Sequence, residues 1–467
     1  MSGTQLCASE GDGVLEEPQL GGFARRDHPG KGMRPTVRFV LAMVITIAWV
    51  AFAVWASDPW RDDLDQAIGP IASWLIPLLL AYIPGLVIGF MAATLVVSPY
   101  HEPSLAPPAG GWPAITVLIA ARDEEASIER TLECVAQSDY AGDITVLLAD
   151  NGSTVRTAEL AQRTADRLGL DYRRVLEESP GKFHALNTAL ETAATPIVVT
   201  LDADTYLHPP ALPYLVAHVT SRPQDQHVSA CAGALIVENP TQSFLTRMQQ
   251  WDYRLGINGV KRMQGAYNSA LVAQGAFSAY WTDDLRAVGG WPDAIGEDIV
   301  LTWTMLDSRG IVQYEPLALA STTVPAHVSV FMRQRSRWAR GMFEGISAVP
   351  PWRQPRVLAK VVAGIDYLVP LLDVGYVFFW IPGVILAAFG YPLIFSWWSM
   401  LLLPITVLIY GLLRRWQEQH VLRPFRISLP ADRRGFFGYL LGYQALASTA
   451  SLRGYWQYVI GAGRRWK

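Results

Sequence analysis

Charged residues are scarce in this chain. Lys, Arg, Asp and Glu together make up 17% of the 467 residues, whereas hydrophobic residues make up 51%. This charge content is below that of a typical globular protein and suggests a membrane protein. The formal net charge is only −3, so no overall basic field indicates a nucleic-acid-binding protein.

Cysteines are few in this chain, and phosphate-binding glycine loops are lacking. The three cysteines, Cys7, Cys134 and Cys231, are odd in number and widely spaced, which suits neither a disulfide framework nor a zinc site. No Walker loop or GxGxxG motif follows any predicted strand. A bound nucleotide would therefore not be held on a glycine-rich phosphate cradle.

Two long apolar runs precede a globular stretch. Residues 37–55 and 68–97 are almost wholly apolar and long enough to span a bilayer. We therefore expect two transmembrane helices within residues 36–98. A cleaved signal peptide is the alternative for the first run, because residues 53–57 (AVWAS) resemble a cleavage site. The length of that run and its late start argue against cleavage.

Two further apolar runs follow the globular stretch. They cover residues 361–389 and 391–413 and predict two more transmembrane helices within residues 351–413. The third run contains two carboxylates, Asp366 and Asp373, seven positions apart. Carboxylates inside a membrane segment usually face a polar cavity or a partner. Asp373 is therefore a candidate for lining a channel, whereas Asp366 is tolerated if it lies at the interface.

The distribution of basic residues predicts the orientation of the chain. Four basic residues precede the first run (Arg25, Arg26, Lys31 and Arg34) and Arg38 lies at its start, whereas residues 57–66 contain four Asp and one Arg. The positive-inside rule then places the N-terminus and the globular domain, residues 99–350, in the cytoplasm. We expect a multi-pass protein of the cell (plasma) membrane whose functional domain is cytoplasmic.

The two ends of the chain carry fewer signals. Residues 1–35 have no motif and are expected to form a disordered cytoplasmic tail. Residues 414–467 begin with an arginine-rich stretch that predicts a cytoplasmic loop. Within them, residues 435–451 form either a fifth span or a segment at the interface, because the basic residues after them also prefer the cytoplasm.

Strand and helix patterns alternate in the first half of the globular domain. Strands are predicted at residues 114–120, 144–149, 172–176 and 197–201, and helices at residues 126–137, 155–168 and 183–193. This alternation predicts a parallel sheet covered by helices. In such sheets, ligands bind at the carboxyl ends of the strands.

Acidic residues follow several of these predicted strands. Asp123 and Asp150 follow the first two, and Asp202 and Asp204 follow the strand at 197–201. Residues i and i+2 of an extended segment point the same way, so Asp202 and Asp204 could face one hard cation that also carries a diphosphate. A single Asp after a strand is often only a turn residue. Acidic residues at several strand ends are harder to explain in that way.

Two more polar clusters occur later in the domain. Gly296-Glu297-Asp298 precedes an apparent helix, where an Asp is often only an N-cap. The segment QRSRW, residues 334–338, places cations, an amide and an indole within about two turns. Its alternative interpretation is a basic amphipathic helix on the membrane surface.

Six motifs follow one another in the domain: AARDEE (120–125), DNGST (150–154), GKFHALN (181–187), DAD (202–204), GED (296–298) and QRSRW (334–338). In this order, they resemble the motifs of the membrane-embedded, processive family 2 glycosyltransferases, namely the cellulose, hyaluronan, chitin and poly-N-acetylglucosamine synthases. The resemblance implies an α/β GT-A-type cytoplasmic domain inserted between α-helical transmembrane segments. It also implies a UDP-sugar donor and a polysaccharide acceptor that crosses the lipid bilayer as it grows.

The resemblance also implies roles for individual residues. Asp298 matches the catalytic base, and Asp204 matches the ligand of Mg²⁺ or Mn²⁺. Residues that match the donor-binding set are Asp123, Asp150, Lys182, Asp202, Gln334 and Arg337. Residues that match the acceptor-binding set are Glu297 and Trp338. An inverting transfer needs a carboxylate that removes the acceptor proton, a role open to Asp298.

The motifs indicate the identity of the transferred sugar less clearly than they indicate the family. The segment GEDIVLTWTML is nearer to the amino-sugar polymerases, whereas QRSRWARGM resembles cellulose synthase equally well. We favour UDP-GlcNAc and a β-linked amino-sugar polymer, with a β-glucan made from UDP-glucose as the alternative.

Three other classes of protein are alternatives to a polymerase. A non-processive transferase acting on a lipid usually lacks QxxRW, which this chain contains. A transporter would leave the acidic strand ends unexplained, and an inactive binding protein on the same fold is a further alternative.

Overall fold

Within the part of the chain that the structure describes, three helices are long and apolar enough to cross a membrane. They are α1 (Pro35–Ala56), α3 (Pro70–Val97) and α13 (Val357–Ala388), and a short helix, α2 (Asp58–Ile68), lies between the first two. The 22 residues of α1 correspond to about 33 Å of helix, close to the thickness of a bilayer core. The computed structural model describes residues 33–108, 110–220, 227–394, 402–427, 429 and 432–463.

These helices overlap the first three predicted apolar runs. The fourth run, residues 391–413, falls partly outside the described residues, and its second half belongs to helix α14 (Leu402–Gln417). Most of the predicted N-terminal tail, residues 1–32, also lies outside the described part. The number of spans before and after the globular domain therefore stays a prediction.

The residues between α3 and α13 form an eight-stranded mixed sheet with helices around it. The strand order is β3-β2-β1-β4-β7-β6-β8-β5. The strands are β1 (Ile115–Ala121), β2 (Ile144–Asp150), β3 (Asp171–Leu176), β4 (Ile197–Asp202), β5 (Thr205–Leu207), β6 (Val228–Val237), β7 (Phe277–Trp281) and β8 (Ile311–Thr322). The helices are α4 (Ile128–Ala136), α5 (Thr157–Leu168), α6 (Lys182–Thr192), α7 (Ala211–Thr220), α8 (Phe244–Trp251), α9 (Asn258–Gly265), α10 (Thr282–Ala287), α11 (Glu297–Asp307) and α12 (Val328–Ala348).

The first half of the sheet confirms the predicted alternation of strands and helices. Strand β1 pairs in parallel with both β2 and β4, and β2 pairs in parallel with β3. All seven residues of β1, ITVLIAA, are buried, as expected for a strand that is covered on both faces. The second half is mixed, because β7 runs antiparallel to both β4 and β6. The alternating pattern of the first half gave no signal for this reversal.

Parallel pairing brings the carboxyl ends of β1, β2 and β4 to one edge of the sheet. In register, Ala121 of β1 lies beside Asp150 of β2, and Ala120 lies beside Asp202 of β4. Two buried apolar clusters on opposite faces of the sheet hold these strands in place. The acidic residues that end the strands therefore meet at one edge.

A C-terminal helical segment packs along α12. It consists of α15 (Arg433–Gly438), a π-helical turn (Tyr439–Tyr443) and α16 (Gln444–Val459). The Ser336 hydroxyl donates a 2.7 Å hydrogen bond to the carbonyl of Ala450. This segment includes residues 435–451, and it is not among the three helices that meet the length and hydropathy needed to cross a membrane.

Asp373 in α13 is held by the same C-terminal segment. Its carboxylate accepts hydrogen bonds from the Ser448 hydroxyl at 2.7 Å and the Tyr455 hydroxyl at 2.6 Å, and the side chain is 1% exposed. The neighbours that satisfy Asp373 are therefore side chains of α16. Asp366 is contacted instead by the Gln264 amide at 3.5 Å.

Candidate active site

Asp123 and Asp150 shape the loop after β2. Asp123 has a left-handed backbone, with φ of 58°, and its carboxylate accepts hydrogen bonds from the Thr154 amide at 2.7 Å and hydroxyl at 3.1 Å. Asp150 is fully buried, forms an ion pair with Arg174 at 2.5 Å and accepts from the Ser153 amide at 2.9 Å. Both carboxylates therefore fix residues 150–154, and their contact with a nucleotide stays a prediction.

Lys182 joins two of the predicted motifs. It begins α6, and its Nζ lies 2.7 Å from Asp202 Oδ1 and 3.7 Å from Glu297 Oε1. Burial acts to lower the pKa of Lys182, but the carboxylates of Asp202 and Glu297 outweigh it, so the pKa is raised. The ammonium is therefore charged at neutral pH and lies between the DxD and GED motifs.

The absence of a side chain at Gly275 leaves room for the Lys182 ammonium. A Cβ at position 275 would lie 2.8 Å from Lys182 Nζ and 3.8 Å from Glu297 Oε1. The Gly275 amide also donates a 3.1 Å hydrogen bond to Asp298 Oδ2. Gly275 therefore packs against both motifs, and any side chain at this position would displace the ammonium.

Asp204 lies in surroundings that disfavour a lone negative charge. Burial, together with the nearby carboxylates of Asp202 and Glu124, raises its pKa to about 7. A divalent cation would relieve this crowding, so the residues fit the metal that the motif implies. Among the described residues, no group of three or more His, Cys, Asp or Glu could hold a metal ion. Further ligands would be oxygen atoms of the substrate diphosphate or of water.

Glu297 and Asp298 begin helix α11. Burial raises the pKa of Glu297 to about 7, Lys182 opposes that rise, and Asp298 reinforces it. The two carboxylate oxygens of Asp298 accept from different amides, that of Ile299 at 2.9 Å and that of Gly275 at 3.1 Å. Asp298 thus has a fixed orientation, with further oxygen lone pairs available for a substrate hydroxyl.

A clasp that the sequence analysis did not predict joins the GED loop to α12. Gly296 lies so close to Gly341 that a Cβ on Gly341 would be 2.7 Å from the Gly296 Cα. Glu344 accepts hydrogen bonds from the Ile295 amide at 2.7 Å and the Gly296 amide at 3.3 Å, and it pairs with Arg340 at 3.3 Å. Glycines in GED and in QRSRWARG were the only sequence signals for this contact.

Helix α12 carries the predicted QxxRW residues in different environments. Gln334 is partly buried, and its Oε1 has no hydrogen-bond partner among the described residues. Trp338 is 38% exposed, and the Arg335 guanidinium lies 4.1 Å from its ring centroid. Arg337 is partly buried. Gln334 therefore has a free acceptor for a ligand, and Trp338 presents an aromatic face.

Arg335 was not among the predicted site residues, although it anchors the helix that carries them. Its Nη2 lies 2.8 Å from Asp252 Oδ2, which also accepts from the Tyr443 hydroxyl at 2.8 Å. Burial raises the pKa of Tyr253 to about 12, Arg335 opposes the rise, and Asp252, Asp204 and Asp202 reinforce it.

The structure therefore brings the DxD and GED motifs together and packs α12, the helix that carries QxxRW, against the GED loop. Lys182 links the first two, and the glycine clasp links GED to α12. Asp123 and Asp150 lie at the neighbouring strand ends, where each is engaged by the loop that follows β2. With its mixed sheet and acidic edge, the fold is that of a GT-A-like domain.

Comparison with known proteins identifies this domain. Residues 113–341 match the family model described as glycosyltransferase like family 2. The chain therefore carries a family 2 glycosyltransferase domain, and the predicted resemblance and fold class are confirmed. The match begins just before β1 and ends at Gly341, so it includes every motif described above.

Two curated relatives are similar over this domain. An N-acetylglucosaminyltransferase of Mesorhizobium japonicum is 29% identical over an alignment of 262 residues, which covers 52% of this chain and 61% of the relative. A poly-beta-1,6-N-acetyl-D-glucosamine synthase of Staphylococcus aureus is 32% identical over 232 residues, which are 49% of this chain and 55% of the relative. The chain thus spans about three fifths of the length of the curated relatives it matches.

A solved structure supports the fold over a longer part of the chain. The mannosyltransferase PcManGT from Pyrobaculum calidifontis, determined in complex with GDP-Man and Mn²⁺, aligns with a TM-score of 0.55 at 19% identity. The alignment covers 83% of this chain and 99% of that protein. It therefore extends beyond the family 2 domain, and at this identity it is evidence about the fold alone.

Proposed function

We propose that the protein is an inverting glycosyltransferase that extends a β-linked amino-sugar polymer from UDP-GlcNAc. The observation that carries the proposal is the position of Lys182, which contacts Asp202 of DxD and lies near Glu297 of GED. This contact supports a single space in which a donor at the DxD motif and an acceptor at the GED motif meet. An inverting transfer needs that proximity, because the acceptor oxygen attacks the donor sugar directly.

Each group has a distinct task in this proposal. Asp298 removes the proton from the acceptor hydroxyl, which is a poor nucleophile until it is deprotonated. Lys182 offsets negative charge on the donor side and orients Asp202. A divalent metal at Asp204, either Mg²⁺ or Mn²⁺, would stabilise the departing diphosphate. The Mn²⁺ complex of the mannosyltransferase with the same fold is compatible with this site.

The relatives favour GlcNAc as the transferred sugar. Both curated relatives described above are named for the transfer or polymerisation of N-acetylglucosamine. A β-glucan made from UDP-glucose remains the second candidate, because QRSRWARGM resembles cellulose synthase equally well. Transfer of a single sugar to a lipid is the third candidate, and the QxxRW motif at residues 334–338 favours the polymerase over it.

The contacts between the domain and α3 support transfer of the product into the membrane. The hydroxyls of Thr94 in α3 and Tyr267 share a 2.9 Å hydrogen bond, and Gly259 in α9 lies against Met91. The domain is thus seated on a candidate span, and we propose that it lies in the cytoplasm of a multi-pass membrane protein. A polymer that leaves the site would then need only a short path to the bilayer.

The decisive experiment is incorporation of labelled sugar by the purified protein in lipid nanodiscs. We expect polymer from UDP-GlcNAc with Mg²⁺ or Mn²⁺, and much less from UDP-glucose. Digestion by glycosidases of known linkage would identify the bond. Polymer from UDP-glucose alone would establish the β-glucan alternative, and a labelled lipid without polymer would establish the third candidate.

Asp298→Asn tests the assignment of the base. The amide cannot accept the acceptor proton, so we expect polymer formation to fall by about 10²–10⁴-fold, while UDP binding stays within about twofold of the wild type, well under 1.4 kcal/mol. Asp283→Asn is the matched control, because Asp283 is exposed on α10. Near-normal elongation by Asp298→Asn would remove Asp298 as the base.

A further inference from the structure

Two arginines line a pocket where the globular domain meets α3 and α14. The pocket has about 390 Å³ of empty space, including the solvent at its mouth. Its basic members are Arg254, in the π-helical turn Asp252–Ile257, and Arg262 on α9. Trp416 and Gln417, at the end of α14, also line it. The proposed chemistry of sugar transfer uses neither arginine.

Arg254 shares a carboxylate with a second arginine. Its side chain is 4% exposed, and its Nε donates a 3.0 Å hydrogen bond to Gln417 Oε1. Its Nη2 lies 3.5 Å from Glu418 Oε1, the same atom that Arg414 Nε contacts at 2.8 Å. One carboxylate therefore serves two guanidinium groups, and the cluster keeps a positive charge.

Arg262 lies against an aromatic ring instead of a carboxylate. Its Cζ is 3.3 Å from the centroid of the Trp416 ring, and the His420 ring stacks on the same indole at 5.0 Å. Among the described residues, no carboxylate lies within ion-pair distance of Arg262. A guanidinium that stacks on a ring keeps the N–H donors at its rim available. Arg262 can therefore donate hydrogen bonds to an anion in the pocket.

The burial of these two charges favours an anionic ligand. Burial lowers the pKa of Arg254 to about 10 and that of Arg262 to about 10. Both side chains are therefore charged at neutral pH, and a buried positive charge is costly unless it is paired. A phosphate is a suitable partner, because a guanidinium binds two of its oxygens at once.

The pocket lies at the end of a candidate membrane span. Leu95 lines it and is close to Val97, the last residue of α3. Exposed apolar side chains flank it, since Val96 is 79% exposed and Leu412 of α14 is 58% exposed. A basic pocket beside the end of a span is suited to the head group of an anionic lipid, whose acyl chains would cover these side chains. A soluble phosphate would leave them uncovered.

We propose that this pocket binds the phosphate of an anionic phospholipid. Arg262 donates hydrogen bonds to the phosphate oxygens, Arg254 adds a second positive charge, and the acyl chains lie against α3 and α14. The bound lipid would hold α9 and α14 at the membrane surface. The proposal goes beyond the proposed function, because it does not depend on which sugar is transferred.

The test measures lipid binding by the full-length protein, purified in detergent. Phosphatidylglycerol and phosphatidylcholine with identical acyl chains are the probes, and titrations followed by native mass spectrometry give the affinities. We expect the wild type to bind phosphatidylglycerol more tightly than phosphatidylcholine. We expect Arg262→Gln to weaken binding of phosphatidylglycerol by about 10–100-fold, because a charge-assisted hydrogen bond is lost.

Arg415→Gln is the matched control for this change. It removes the same charge at an exposed position of α14, next to Trp416 but outside the pocket. We expect this variant to bind phosphatidylglycerol as the wild type does. An equal loss in both variants would overturn the proposal, because the attraction would then belong to the basic surface as a whole. Equal binding by Arg262→Gln and wild type would also overturn it.

Glycerol 3-phosphate distinguishes a lipid from a soluble phosphate. It carries a phosphate group on glycerol without acyl chains, and we expect it not to displace phosphatidylglycerol when both are present at equal concentration. Displacement would overturn the lipid assignment in favour of a soluble ligand. All of these measurements are made without a sugar donor, so a failure of the proposed sugar transfer would leave them unchanged.

Arg262→Lys guards against a folding defect, because it keeps the positive charge. If Arg262→Gln lowers the melting temperature, the Lys variant decides the matter. A stably folded Arg262→Lys that binds phosphatidylglycerol better than Arg262→Gln supports the proposal, and one that binds it no better overturns the proposal.

Discussion

The ammonium of Lys182 lies 2.7 Å from Asp202 Oδ1 and 3.7 Å from Glu297 Oε1, so one cation serves two motifs that are 95 residues apart in the chain. Two carboxylates this near each other repel unless a positive charge lies between them. The ammonium supplies that charge before any ligand binds. It thereby holds the end of β4 close to the start of α11.

Lys182→Met should separate these two motifs. The substitution leaves Asp202 and Glu297 without their cation, and we expect a loss of about 2–3 kcal/mol in the free energy of unfolding, after allowance for the partial exposure of Asp202. We expect UDP binding and sugar transfer to fall by more than about tenfold. Isothermal titration with UDP and a transfer assay measure both. Lys360→Met is the exposed control, and normal transfer by Lys182→Met would contradict this role.

Asp204→Ala should remove the dependence of donor binding on metal. In the wild type we expect EDTA to weaken UDP binding, because a cation offsets the charge of the diphosphate and of the crowded carboxylates. In Asp204→Ala, we expect weak binding that EDTA does not alter. Titrations with and without Mn²⁺ provide the measurement, and Asp283→Ala is the exposed control. Wild-type-like affinity of Asp204→Ala, equally sensitive to EDTA, would exclude Asp204 as the ligand.

The sequence predicted the acidic edge of the sheet because local signals determine it. An apolar strand that is followed by Asp is recognisable from its own sequence. Parallel pairing then brings the ends of such strands to one edge of the sheet, as in β1, β2 and β4. The motif resemblance then identified GED and QxxRW. Both were confirmed as parts of one family 2 domain.

Contacts between distant segments could not be predicted in the same way. Glu344 binds two amides near the GED motif, and Arg335 pairs with Asp252, 83 residues away. Neither residue belongs to a pattern that reveals its partner, since a glutamate or arginine on an amphipathic helix is expected to face solvent. The antiparallel strand β7 was missed for a related reason, because strand direction depends on tertiary packing.

Gly341→Ala should weaken the clasp between α12 and the GED loop. The added Cβ would lie 2.7 Å from the Gly296 Cα, so the backbones must move apart. We expect a loss of about 1–3 kcal/mol in stability from overpacking, and a fall in the rate of transfer with little change in UDP affinity. Melting temperature and transfer kinetics measure these effects.

The matched control for this change is Gly364→Ala. Gly364 lies within a helix, and its Cβ would meet nothing within 4 Å. Ala in a helix interior is about 0.5–1 kcal/mol more favourable than Gly, so this variant should be as stable as the wild type or more so. If both variants keep full transfer activity, the close approach of Gly296 and Gly341 has no bearing on the site.

Asp373→Leu should release the C-terminal helix from α13. The substitution leaves the buried hydroxyls of Ser448 and Tyr455 without their shared acceptor, at a cost of about 1–3 kcal/mol for each unsatisfied group. We expect a lower melting temperature in detergent and faster proteolysis after residue 432. Asp373→Asn, which keeps an acceptor oxygen, should show a smaller effect, and Asp63→Leu on the exposed face of α2 should show none. A residue that lined a polymer channel would behave differently: neutral variants would alter polymer length while the melting temperature stayed the same, and that result would favour the channel role over the anchoring one.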